Sequence, residues 1–159
     1  MRPQGATEAI KAEIGGELWV KQKRWDFKQQ CYSALAENFG EQAAALHEMR
    51  ALLELQGSLA RGGALPSGMD VGLLEKKLSD RKASVETTTE QIRRLGSKVR
   101  IAVAPEVRTL LSQFGDRWNS VDAELPFMDQ VAIRGNITYS AWVDIMEAAR
   151  RDLFGEQEL

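Results

Sequence analysis

The sequence predicts an all-α protein, an antiparallel bundle of about four helices with a long first helix and coiled-coil-like packing. Two observations carry that expectation. Apolar residues recur at alternating steps of three and four over three long stretches, the spacing that draws one stripe along an α-helix. Between the stretches stand clusters of glycine, serine and proline, which stop helices and form turns. At 159 residues the chain has the size of a single domain that buries roughly 70% of its unfolded surface.

The first stripe is Leu18, Trp25, Tyr32, Leu35, Phe39, Leu46, Met49 and Leu53. It predicts a helix from Glu17 to about Gln56, with residues 1–16 set apart as a frayed segment. Gly15-Gly16 would cost about 1 kcal/mol each inside a helix. Asn38-Phe39-Gly40 resembles a helix stop, yet Phe39 to Leu46 is one heptad, so the register crosses Gly40 unbroken. One continuous helix with a local weak point is expected. Residues 57–69, GSLARGGALPSGM, form a flexible connection, and Asp70 is placed to cap the next helix.

That second helix is expected over about 71–102, on the stripe Leu74, Leu78, Val85, Ile92, Leu95 and Val99. Val99–Val103 alternates like a strand, but a lone strand has no partner, so it is read as helix. Ala104-Pro105-Glu106 marks a boundary, since proline suits the first position of a helix. The third stripe, Val107, Leu110, Phe114, Trp118, Val121 and Leu125, predicts a helix ending by Leu125. Phe127–Asn136 is ambiguous because of Gly135-Asn136. A last helix over about 137–154 has two apolar lines, one through Ile137, Ala141, Ile145 and Ala148 and one through Tyr139, Trp142, Met146, Ala149 and Leu153. Gly155 closes it and the tail 156–159 is expected to be loose. The domain is thus expected over 17–155.

Composition bounds function mainly by exclusion. The net charge is −2, with 43% hydrophobic and 28% charged residues, which is ordinary for a folded protein. Residues 70–104 carry eight Lys/Arg against five Asp/Glu, and residues 116–159 carry four against nine. These complementary blocks suggest that the basic helix and the C-terminal helix lie side by side, or that they meet between protomers. No apolar run suits a membrane span or a signal peptide. The lone Cys31 makes no internal disulfide and reads as a buried thiol. A cytoplasmic location is the resulting expectation. No phosphate-binding loop, dinucleotide fingerprint or zinc-ligand cluster occurs, and the chain has a single histidine. No catalytic residue, no metal, no cofactor and no small-molecule substrate are expected.

Two segments remain as candidate sites. In His47-Glu48-Met49-Arg50 the tetrapeptide resembles the phosphoacceptor box of sensor histidine kinases, with Ala51 and Leu52 where that box carries Thr and Pro. The resemblance implies His47 as phosphoacceptor in a signalling bundle, with Glu48 as its base. The second segment interleaves Lys21, Lys23, Arg24 and Lys28 with Trp19 and Trp25, a combination able to dock on protein, anionic lipid or nucleic acid. Asp26 and Glu17 dilute its charge, so membrane and nucleic-acid partners are not expected. The principal expectation is an interaction or scaffold module that binds a protein partner or a second copy of itself. Homodimerisation through residues 17–40, as a symmetric contact, would satisfy the part of the first stripe that outruns the shorter helices.

Overall fold

The computed structural model describes residues 4–155 and shows an up-down-up-down helical bundle. Its elements are α1 (Gln4–Ala60), α2 (Val71–Lys98), a 3-10 turn (Val99–Ile101), α3 (Pro105–Asn119) and α4 (Phe127–Phe154). No strand occurs among the described residues.

The helix α1 has 57 residues, so it is about 85 Å long. It passes through Gly40 as expected, and that glycine has a packing reason. A Cβ there would lie 3.4 Å from Cζ2 of the Trp142 indole on α4. At the other end the helix starts at Gln4, well upstream of Glu17, and Gly15-Gly16 does not break it. Extending a helix that already exists fixes only one residue per hydrogen bond, so two glycines are tolerated where a new nucleus would fail. The tail at 156–159 lies outside the described residues.

The punctuation largely acts where the sequence places it. Asp70 caps α2, its carboxylate accepting from the Leu73 N–H at 2.7 Å. Pro105 opens α3 and Gly155, with φ 75°, closes α4. Val99–Ile101 is a 3-10 turn. The helix α1 runs past Gln56 to Ala60, which takes residues 57–60 out of the expected connection, and two further boundaries differ. The helix α3 stops at Asn119 and leaves Val121 and Leu125 in the connection to α4. There the Ser120 hydroxyl turns back to the Asp116 carbonyl at 2.6 Å. The helix α4 begins at Phe127 and absorbs Gly135-Asn136. Gly135 faces Leu46 on α1, and a Cβ there would meet the Leu46 Cβ at 3.8 Å, an ordinary contact.

The core lies where α1 is flanked by α2 and α4, with α3 laid against α4. Leu35, Phe39, Val107 and Ile145 are fully enclosed, and Phe39 meets Phe114 edge-on at 4.9 Å. Cys31 is buried, as expected. Tyr139 departs from its predicted line and is exposed, with its ring edge-on to Trp142. Within the chain the basic helix α2 and the acidic helix α4 do not pack side by side. Instead α1 lies between α2 and α4, and the inter-helix ion pairs are Glu48–Arg81, Lys28–Asp152 and Glu106–Arg151. Apolar stripes, worth far more than exposed ion pairs, decide which helices adjoin.

Two polar clusters hold these helices in register. In the middle of the bundle Gln42 is wholly buried; its amide donates to Thr89 Oγ1 on α2 at 2.5 Å. Its carbonyl oxygen accepts from Thr138 Oγ1 on α4 at 3.2 Å. At one end Tyr32 donates to Asp152 Oδ2 at 2.5 Å and accepts from the Ala104 N–H at 3.0 Å. Lys28 binds the other Asp152 oxygen at 3.1 Å. This cluster ties α1 to α4 and to the start of α3.

Candidate interaction site

The helices that flank α1 end near Trp25, and α1 continues beyond them. The indole N–H of Trp25 reaches the Leu153 carbonyl at 3.5 Å, and its ring meets Phe154 edge-on at 6.3 Å. Both partners belong to the last turn of α4. N-terminal to Trp25, every residue from Gly5 to Arg24 is exposed. At 1.5 Å per residue the arm projects about 30 Å from the bundle.

Along this arm Ile10, Ile14 and Leu18 are exposed by 51%, 51% and 61%, a row of large apolar side chains left uncovered. With 3.6 residues per turn they fall within about 80° around the axis, in line with Trp25 at the root. Trp19, 63% exposed, points to the other side and carries the Lys23 ammonium 5.5 Å from its ring centroid. Charge is segregated along the arm. Glu8, Glu13 and Glu17 lie toward the tip, with Lys11 among them, and Lys21, Lys23 and Arg24 lie toward the root. Glu13, Glu17 and Arg24 share one flank of the apolar row, within about 40° of one another.

The structure divides the sequence-predicted interaction segment in two. Trp19, Lys21, Lys23 and Arg24 stand on the free arm, whereas Trp25 and Lys28 are engaged with α4 at its root. A contact over the whole of 17–40 is not open to a second chain, because Cys31, Tyr32, Leu35 and Phe39 are buried in the protein's own core. Ile10 and Ile14 were not among the expected site residues. Their spacing continues the Leu18 stripe upstream, a signal masked by the weight given to Gly15-Gly16.

His47 is exposed on α1, in the middle of the molecule. Its neighbour Glu48 is held by Arg81 of α2 at 2.8 Å, which competes with any role for that carboxylate as a base toward His47. His47 and the arm are separate surfaces. No cluster of three or more metal-ligating side chains occurs among the described residues, and none of their helices is long and apolar enough to cross a membrane. Comparison with protein-family models, with curated proteins and with solved structures returns no match for this chain.

Proposed function

We propose that the protein is a non-catalytic interaction module that self-associates through the projecting arm of α1. The observation that carries this reading is the uncovered row Ile10, Ile14 and Leu18 on a helix that outruns its own bundle. An isolated helix of about 20 residues is marginal in water, and burying its apolar row against another surface stabilises it.

A second copy of the arm is a chemically suitable surface. In a two-fold symmetric, antiparallel contact each flank meets the same flank of its partner, reversed. With Ile14 near the symmetry axis, Ile10 of each chain meets Leu18 of the other, so the uncovered row is buried against itself. The apolar row supplies most of the affinity of such a contact.

Sedimentation of the whole chain at tens of micromolar tests the proposal. The expected result is a dimer that becomes a monomer in Ile14→Glu and Leu18→Glu variants, with the melting of the bundle itself unchanged. Those side chains touch no core residue, so the variants leave the fold intact. A monomer at every concentration, or a dimer indifferent to both substitutions, would refute it.

A further inference from the structure

A bundle of four helices has four packed edges, and here one is open. The helices α2 and α3 barely touch, so a groove of about 810 Å³ runs between the second half of α2 and α3. Its floor includes Ile92, Phe114 and Trp118, and its walls carry Arg93, Arg100 and Arg108 with no carboxylate among the lining residues. Past Thr89 and Trp118, which it shares, the groove continues into a hollow of about 330 Å³ between α2 and the start of α4. Arg134 lines this second stretch, its guanidinium 4.9 Å from the Trp118 ring centroid. The Arg134 Nε–H is buried and has no acceptor among the described residues. Lys82 adds a further cation, while Glu86 and Glu90 are the acidic groups of this stretch. Glu90 is already held by Arg93 and Arg94, at 2.6 and 3.0 Å.

We propose that this groove is a docking site for an acidic amphipathic helix of a partner protein. Length, shape and charge point to that occupant together. From Lys82 to Arg100 the groove follows α2 for about 27 Å, the span of an 18-residue helix. An apolar floor between two helices is the surface on which an amphipathic helix lays its own stripe. Arg100 and Arg108 would receive carboxylates at one end. A guanidinium is suited to that task because it offers a fixed fork of donors.

The test is a calorimetric titration of the whole chain with two 18-residue peptides of one leucine pattern, flanked by glutamate in one and by lysine in the other. The glutamate helix should bind and the lysine helix should not, a comparison that requires no variant. Joint Arg100→Glu and Arg108→Glu substitution should weaken the glutamate helix at least about tenfold and admit the lysine helix. Equal binding of the two peptides would overturn the proposal. So would binding of dodecanoate, or of a peptide spanning residues 5–24 of this chain, in place of the glutamate helix.

Discussion

Replacing Tyr32 by phenylalanine removes one oxygen and leaves the packing of the ring in place, so its effect can be worked from two hydrogen bonds. The hydroxyl donates to the Asp152 carboxylate at 2.5 Å and accepts from the Ala104 N–H at 3.0 Å. A hydrogen bond to a charged group contributes about 1.5–3 kcal/mol and one to a neutral N–H about 1 kcal/mol. Asp152 keeps its ion pair with Lys28, so its charge is not abandoned. Tyr32→Phe is therefore expected to lower stability by about 2–4 kcal/mol at pH 7, and the melting temperature by about 5–15 °C for a chain of this size. The loss should shrink in alkali. Burial pushes the Tyr32 phenol well above its ordinary value of 10.0, with the Asp152 carboxylate adding to the rise and the Ala104 N–H opposing it. Above pH 10 the unfolded chain gives up this proton while the native chain retains it. The wild type then loses up to about 1.4 kcal/mol of stability per pH unit from this group alone. Phenylalanine has no proton to lose, and the other titrating groups cancel between the two chains. Urea unfolding of both chains from pH 7 to 11 reads the difference. A deficit below about 0.5 kcal/mol at pH 7, or one that stays constant through pH 11, would refute the reasoning.

Gln42→Leu should change stability by less than about 1 kcal/mol, because Thr89 and Thr138 keep hydrogen bonds to the Val85 and Arg134 carbonyls on their own helices. Gln42→Ala, which leaves a void in the same place, should cost about 2–4 kcal/mol, and denaturant melts of the pair separate the two effects. Gly96→Ala meets nothing within 4 Å and should stabilise by the full helix-propensity gain of about 1 kcal/mol. Gly40→Ala should gain less, because its new methyl abuts Trp142; a larger gain at 40 than at 96 would contradict the packing described.

The fold was legible wherever its cause is local. Asp70, Pro105 and Gly155 act on their own backbone neighbours, and each does what its residue type dictates. Tyr32, Leu35, Phe39, Leu46 and Met49 are buried because a helical period places them together whatever their partners are. The misread boundaries are places where tertiary contact overrides propensity. Gly135-Asn136 looks like a stop, but the helix runs through it because Val131 and Thr138 on either side are buried in the bundle. Leu18 has the same period as Phe39 and is exposed, because period says which face is apolar and not how far the neighbouring helices reach. Of the candidate site, Trp19, Lys21, Lys23 and Arg24 were visible as a composition, and the separation of Trp25 and Lys28 from them was not. The Gln42 layer and the Tyr32–Asp152 hydrogen bond join residues 47 to 120 positions apart, and no local pattern announces such pairs.

Because the arm and the bundle's central helix are one unbroken rod, tension at its tip has no loop to uncoil before it reaches the core. It would arrive parallel to the layers of side chains, sliding α1 lengthwise between α2 and α4. Every interlocking contact from Tyr32 to Met49 then resists at once, and none can be unzipped ahead of the next. The same tension on α3, entered through the short turn at Ala102–Ala104, would lift a helix off the surface one row at a time. A tether fastened to the N-terminal arm thus grips this protein along its most slip-resistant direction.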